Sequence, residues 1–384
     1  MLFFIYICPS IIAMSNFVVS ARKYRPQTFN SVVGQGSIAT TLKNAISKNH
    51  LAQAFLFCGT RGVGKTTIAR ILAKTINCFN LDEQTEPCNN CESCTSFNDG
   101  HSFNILELDA ASNNSVDDIR NVIDQVRIAP QVGKYKIFII DEVHMLSSAA
   151  FNAFLKTLEE PPEHAIFILA TTEKHKILPT ILSRCQIFDF QRIKVDDTVN
   201  YLKEIAEKEN IKTEDKGLHI IAQKADGAMR DALSIFDQIV SFSNGNITYD
   251  TVIENLNVLD YDYFFKIVNF ALDSNINGNL LLFNDVLQKG FDTSSFITGL
   301  AEHLRNLLVC RDASSVKLLE VPEEIKTSYL EQAKKVELQF LLLGLDLLRE
   351  TEVNFKASKN KRLHVEITLM KFSSIKANLE KKKI

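Results

Sequence analysis

The chain has 384 residues, of which 46% are apolar and 23% charged, the proportions of a globular protein with room for two or three domains at about 150 residues each. Fibrous, collagen-like and largely disordered classes are excluded on those grounds. Forty-six acidic residues against 43 basic ones leave a net charge of −3, which argues against a protein that coats nucleic acid by charge alone, although one face can still be basic.

The first thirteen residues, MLFFIYICPSIIA, are strongly apolar. A targeting reading is opposed by the lack of Lys or Arg before the apolar run, by Pro9, and by a length short of the roughly 20 residues that span a bilayer. Met14 opens polar sequence at once, so residues 1–13 are expected to be an extra segment ahead of the true start. A loosely docked tail and a weak export signal are the alternatives. No other segment is apolar and long enough to span a membrane, which points to the cytoplasm.

Between Ser37 and Phe190, apolar runs of strand length recur at 54–58, 104–109, 136–141, 165–172 and 186–190. Most are nearly continuous in Val, Ile, Leu and Phe, the pattern of strands buried on both faces. Between them, residues 65–77 place Ile68, Ile71, Leu72 and Ile76 on one helix face, and residues 147–160 place Phe151, Phe154, Leu155 and Leu158 likewise before Pro161 and Pro162. That rhythm predicts an α/β domain over 14–190, a parallel sheet wrapped by helices. After Phe190 the strand signal stops. Residues 191–256 read as a small domain of short helices, and 257–384 as a larger all-α domain.

Immediately after the first strand, Gly59, Thr60, Arg61, Gly62, Val63, Gly64, Lys65 and Thr66 fit G-x-x-x-x-G-K-[ST] and open a helix; Thr67 follows. Glycines let backbone N–H groups close around phosphate oxygens, Lys65 reaches the β and γ phosphates, and the Thr66 hydroxyl ligates Mg²⁺ at the helix N-terminus. The third strand ends in Asp141 and Glu142, suited to holding the Mg²⁺ shell and activating the attacking water. Alone that ending is weak; beside the phosphate loop it points to nucleoside triphosphate hydrolysis. Asp-Glu-Val-His also mimics a helicase box, and His144 reads equally as a helix-start residue. The fourth strand ends in Thr171 and Thr172, either of which can orient water or merely cap a turn. Arg184 lies at a helix end before the last strand, and Arg230 starts a helix in the second domain; by themselves both read as surface ion-pair residues.

Cys78, Cys88, Cys91 and Cys94 are clustered within an insert at 78–94, whereas Cys8, Cys58, Cys185 and Cys310 are scattered. Four thiolates in one short segment suit a closed structural Zn²⁺ site. An iron–sulfur cluster competes, though the closing Cys-Pro is absent.

The stretches ARKYRPQTFNSVVGQ (21–35), GTRGVGKTT (59–67), the four cysteines, DAASNNSVDDIR (109–120), the run from Ile139 to Cys185 and GAMRDALS (227–234) together resemble the gamma/tau subunits of the bacterial DNA polymerase III clamp loader, a family of AAA+ ATPases. The resemblance implies a P-loop AAA+ domain, a helical lid and an all-α collar. It assigns ATP to the phosphate loop, with Lys65, Thr66, Asp141 and Glu142 as the ATPase core, Thr171 or Thr172 as first sensor and Arg230 as second. Arg184 is implied to be the finger entering a neighbouring subunit's site. Arg22, Tyr24, Arg25, Pro26, Val33 and Gly34 are implied to line the base side. Implied partners are delta, delta-prime and further copies of the same subunit in a five-membered ring, together with the sliding clamp and primed DNA. Two readings from other classes are a branch-migration or helicase motor and a non-catalytic ring scaffold. The chain ends with the collar, as a short gamma-like form would, which puts polymerase and helicase tethering in doubt.

Overall fold

The structure is a computed structural model that describes residues 18–256, 259–312, 314–319 and 321–382. The apolar segment 1–13, its Cys8 and the proposed start at Met14 lie outside the described residues. The chain forms two units: one runs through Ile193 and includes Gly227–Asp237, and the other comprises Lys194–Asp226 and Gln238–Ile384.

The first unit contains, in order, α1 (Ser20–Lys23), a 3-10 turn (Phe29–Ser31), α2 (Gly36–Ser47), β1 (Ala54–Cys58), α3 (Lys65–Ile76), α4 (Glu92–Asn98), β2 (Ile105–Asp109), α5 (Val116–Val126), β3 (Lys136–Asp141), α6 (Ser148–Glu159), β4 (Ala165–Thr171), α7 (Pro179–Leu182) and β5 (Gln186–Asp189). The strands form one parallel sheet in the order β2-β3-β4-β1-β5. Its register aligns the carboxyl ends: Cys58 is level with Thr171 and with Asp189, and Asp109 with Asp141.

The sheet separates two cores. Phe55 and Phe57 face Ile68 and Leu72 of α3, while Leu56, Phe138 and Phe167 face Ile119 of α5 and Phe154 of α6. Each fully buried side chain of this size contributes roughly 1.5–3 kcal/mol. The sequence pattern predicts strands buried on both faces, and β1 and β4 are buried at every position. β2 and β5 are not. They form the sheet edges, where one face of each meets solvent.

In the second unit, α8 (Val195–Lys208), α9 (Asp215–Lys224) and, after α10 (Met229–Ser243) has entered from the first unit, α11 (Tyr249–Leu256) build a small helical layer. Strand structure does not stop at Phe190, because β6 (Lys212–Thr213) and β7 (Asn246–Ile247) pair in parallel; two residues are too few to leave a periodic signal. Then follow α12 (Tyr261–Leu272), α13 (Ile276–Gln288), α14 (Thr293–Val309), α15 (Glu323–Lys335), α16 (Leu338–Phe355), α17 (Lys361–Ser373) and α18 (Ile375–Lys382). They close around Phe264, Phe283, Phe296, Leu304, Phe340 and Phe372.

Buried polar side chains sit in that core as well, His303, Gln332, Asn279 and Ser373 among them. His303 is 1% exposed, with Nδ1 3.0 Å from Tyr329 Oη and Nε2 2.9 Å from Gln332 Oε1. Because Gln332 Oε1 can only accept, Nε2 carries the proton and Tyr329 donates to Nδ1. Gln332 Nε2 in turn donates to Phe265 O and Asn269 Oδ1, both at 2.9 Å.

The first unit departs from the expected 14–190 span. It keeps Ile193 and takes back Gly227–Asp237, because Ile193 N donates to Gly227 O at 3.1 Å. Gly227 has φ +76, and a Cβ there would come within 2.7 Å of Arg192 Cβ and 3.0 Å of the Ile193 backbone. Among the described residues, no helix is long and apolar enough to cross a membrane.

Candidate active site and metal centre

The loop from Gly59 to Gly64 leaves β1 at the aligned carboxyl edge and is pinned there by Gly59 N donating to Thr171 O at 3.2 Å. Thr60 and Arg61 are exposed at its tip, and Val63 is buried beneath. Gly62 has φ +80, and a Cβ on it would stand 2.9 Å from Ala228 Cβ and 3.5 Å from Arg230 Cβ. This close approach is why glycine is needed there, and it brings the start of α10 against the loop. Lys65 is 5% exposed, and its Nζ donates to Gly59 O and Thr60 O at 2.8 Å each. Burial lowers its pKa, while the Glu142 and Asp141 carboxylates oppose the shift.

Helix α3 starts at Lys65, so its unpaired N–H groups and the positive end of its dipole face the loop. Thr66 Oγ1 donates to Asp141 Oδ2 at 2.6 Å, joining the phosphate loop to the end of β3. Asp141 Oδ1 also accepts from Glu142 N at 2.9 Å. Glu142 has φ +48, an uncommon conformation for a non-glycine residue that lies at the turn between β3 and the short 3-10 helix Val143–Met145.

The two threonines, equivalent in the sequence, have different partners. Thr172 Oγ1 donates to Glu142 Oε2 at 2.9 Å, and Thr172 N reaches the same oxygen at 3.3 Å. Thr171 Oγ1 lies 3.1 Å from His144 Nδ1 and accepts from Glu173 N at 3.1 Å. His144 is enclosed, its side chain 6% exposed, with Glu142 Oε2 3.4 Å from Nδ1 and Glu173 Oε1 3.4 Å from Nε2. It belongs to this cluster, a placement that its residue type and neighbours alone do not decide. The usable signal is its position two residues after Glu142 in a tight turn.

The segment before α2 runs beside the loop. Arg25 Nε donates to Thr67 Oγ1 at 3.4 Å, and Gln35 Nε2 donates to Val63 O at 3.3 Å and Gln191 O at 2.7 Å. Burial lowers the Arg25 pKa first and Arg70 second, and Arg230 is among the further charges acting on it. Tyr24, Pro26 and Val33 are half-buried, whereas Arg22 and Gly34 are exposed. Arg184 stands apart: its guanidinium donates to Glu159 Oε1 and Thr180 O at 2.6 Å each, on the exposed ends of α6 and α7.

The insert after α3 brings Cys78, Cys88, Cys91 and Cys94 together with all four sulfurs within 4.8 Å of one another. Cys78 Sγ is 3.5 Å from Cys88 Sγ and 4.0 Å from Cys91 Sγ. A tetrahedron of roughly 2.3 Å zinc–sulfur bonds has edges of about 3.8 Å, so the cluster fits Zn²⁺. Backbone N–H groups donate into it, Cys88 N to Cys78 Sγ and Cys91 N to Cys88 Sγ at 3.3 Å each. The backbone N–H of Asn90 is foremost in pulling the Cys88 thiol down to about 6, whereas burial pushes the Cys78 and Cys94 thiols up, so a metal's own charge is what would make those two thiolates.

Three family models match successive parts of the chain: "DNA polymerase III, delta subunit" over residues 34–194, "DNA polymerase III clamp loader subunit, ATPase lid domain" over 197–245, and "DNA polymerase III subunits gamma and tau domain III" over 247–384. The chain is similar to DNA polymerase III subunit tau of Bacillus subtilis, 41% identical over 91% of this chain and 62% of that protein. It is 36% identical to DNA polymerase III subunit gamma of Buchnera aphidicola from Baizongia pistaciae, over 94% of this chain and 98% of that one. With subunit tau of Escherichia coli it shares 37% identity over 93% of this chain and 55% of the relative. The chain therefore spans little more than half of the tau relatives and nearly all of the gamma relative. Among solved structures, the RuvB Holliday junction branch migration motor of Thermotoga maritima aligns with a TM-score of 0.47 at 19% identity, over 64% of this chain and 78% of that one.

Proposed function

The chain belongs to the gamma/tau subunits of DNA polymerase III, and from that premise we propose that it is an ATP-hydrolysing subunit of the clamp loader, coupling ATP binding and hydrolysis to placement of the sliding clamp on primed DNA. The observation that carries this reading is the join between Thr66 and Asp141 at 2.6 Å, which fuses a phosphate-binding helix end to a strand-end acid, with Lys65 buried beside it.

The loop N–H groups and Lys65 hold the β and γ phosphates and neutralise charge that grows on them during transfer to water. Mg²⁺, when bound, is held through Thr66 and Asp141 and supplies further charge neutralisation. Glu142 accepts the proton of the attacking water, and Thr172, bonded to its carboxylate, fixes where that carboxylate points. Thr171 is linked to the same group through His144. Arg25 and the segment through Gly34 flank the base, Arg230 approaches from α10, and Arg184 reaches a γ-phosphate held by an adjacent subunit. The four cysteines hold a structural Zn²⁺. Its partners are delta, delta-prime and further copies of itself in a five-membered ring, the clamp and primed DNA, and it works in the cytoplasm. The gamma relative matched over nearly its whole length favours a loader over a strand-separating motor or a nucleotide-free scaffold.

The test is ATP hydrolysis by the full chain, alone and then with partner subunits, clamp and primed template. Lys65→Ala should lower nucleotide affinity by at least tenfold, the equivalent of about 1.4 kcal/mol, while leaving the circular dichroism spectrum intact. Hydrolysis by Lys65→Ala at the wild-type rate, or no affinity of the wild-type chain for adenine nucleotides, overturns the reading.

A further inference from the structure

Two buried charged side chains that no step of hydrolysis uses lie where the cysteine insert meets the segment beside the phosphate loop. Glu86 belongs to the insert and is 5% exposed. Its Oε2 accepts from Phe29 N at 2.7 Å and its Oε1 from Asn30 N at 2.9 Å, and the Lys43 ammonium neutralises it at 2.6 Å. A carboxylate holding two backbone N–H groups fixes the entry to the Phe29–Ser31 turn as a helix cap would. The insert reinforces that grip through Gln84 Oε1, which accepts from Asn30 Nδ2 at 2.7 Å. Asp82 Oδ1 accepts from the backbone N–H groups of Gln84 and Glu86, so the gripping loop is itself ordered.

Lys74 makes the second link. It lies on α3, the helix whose first turn carries Lys65 and Thr66, and is 2% exposed. Its three N–H donors are used by three neutral amides: Asn89 Oδ1 at 2.5 Å, Gln27 Oε1 at 2.9 Å and Asn98 Oδ1 at 3.2 Å. Among the described residues it makes no ion pair with a carboxylate. Burial lowers the Lys74 pKa, and negative charge on Cys94, Cys78 and Cys88 opposes that shift. Four thiolates around a divalent ion keep a net negative charge, and the Lys74 ammonium is tied to the turn between two of them through Asn89. Asn89 lies between Cys88 and Cys91 in a left-handed conformation, φ +57, and that turn carries its side chain to Lys74.

The far end of the same segment touches the loop at Arg25–Thr67, at Gln35–Val63 and at Val32, 4.0 Å from where a Cβ on Gly64 would lie. Insert, segment and loop thus form one contiguous set of contacts.

We infer that Glu86 and Lys74 are positioning residues for the nucleotide: they brace the segment from Arg25 to Gln35 against the phosphate loop while the cysteine insert is closed around its metal, so that metal occupancy and nucleotide binding reinforce each other. The inference rests on the reading of both sites given above. Coupling of this kind is reciprocal: the factor by which metal strengthens nucleotide binding equals the factor by which nucleotide strengthens metal binding.

The test uses the full chain carrying Zn²⁺, with metal content by elemental analysis and ATPγS affinity each measured first. Zn²⁺ release to a chromogenic chelator is then followed with and without saturating ATPγS. Wild type should release Zn²⁺ at least fivefold more slowly with nucleotide, and metal-stripped protein should bind ATPγS at least fivefold more weakly. Glu86→Gln should keep full metal content yet bind ATPγS at least fivefold more weakly and lose the protection. Equal release rates with and without nucleotide, in wild-type protein shown to bind both, overturn the inference and leave the ATPase reading standing. A chain that holds metal but binds no ATPγS overturns the ATPase reading itself. The wild-type arms decide even where Glu86→Gln fails to fold.

Discussion

Lowering the pH from 7.5 to 5 should selectively weaken the C-terminal helical core through His303. Burial takes this imidazole from 6.5 down to about 4, and it makes hydrogen bonds that need the neutral ring. The folded pKa lies below the unfolded one, so the unfolded chain takes up the proton first. Stability is therefore complete above about pH 6.5 and drains away as the pH falls toward 4. At roughly 1.4 kcal/mol per pH unit, the full interval corresponds to about 3 kcal/mol, of which about 2 kcal/mol is gone at pH 5. Hydrogen exchange of the amides in α14, corrected for the intrinsic effect of pH, reads this directly: about 2 kcal/mol is a loss of roughly thirty-fold in protection. His303→Gln removes the titration. It should lower protection at pH 7.5, because Tyr329 and Gln332 lose a well-placed partner, yet show a much shallower fall between pH 7.5 and 5. Other histidines contribute equally to both proteins and cancel in the comparison. An identical pH dependence in wild type and His303→Gln would refute the argument.

The glycine at the loop can be separated from glycines in general: Gly62 and Gly100 have nearly the same φ, +80 and +78, but a Cβ on Gly100 meets nothing within 4 Å. Both Ala substitutions should lose about 1–2 kcal/mol in urea denaturation to the left-handed backbone. Only Gly62→Ala should also weaken ATPγS binding, since it displaces Ala228 and Arg230; equal nucleotide affinity in the two variants would exclude that account. Arg184→Ala should change the stability of the isolated chain by no more than about 1 kcal/mol, because its ion pair with Glu159 is solvent-exposed. In the assembled loader the same variant should bind ATP but lose stimulated hydrolysis, and normal stimulated turnover would remove the finger role.

What could be read from the sequence is what short-range spacing dictates. The phosphate loop needs its glycines, lysine and threonine in a fixed order within one turn, and β3 delivers Asp141 beside Thr66 because parallel strands bring their carboxyl ends to one edge. Helix α5 is also legible in the sequence, since Ser115 and Asp118 form a reciprocal cap at its start, a signal carried by residue type and spacing rather than by apolar periodicity. The edge character of β2 and β5 was not within reach: strand order depends on which neighbours each strand finds, and nothing in a five-residue apolar run states that. The same limit separates Thr171 from Thr172. Adjacent strand-end residues point to opposite sides, but which side meets Glu142 depends on the left-handed turn at Glu142 itself, a backbone state the residue type disfavours. Glu86 and Lys74 are the extreme case. Read locally, a glutamate two residues before a cysteine and a lysine near a helix end are solvent-facing charges; their burial follows only when residues 27–30, the helix and the insert converge. A buried charge costs stability unless it is fully partnered, and here each is partnered across three separate segments. The part of the site hidden from the sequence is therefore the part in which distant segments hold one another in place.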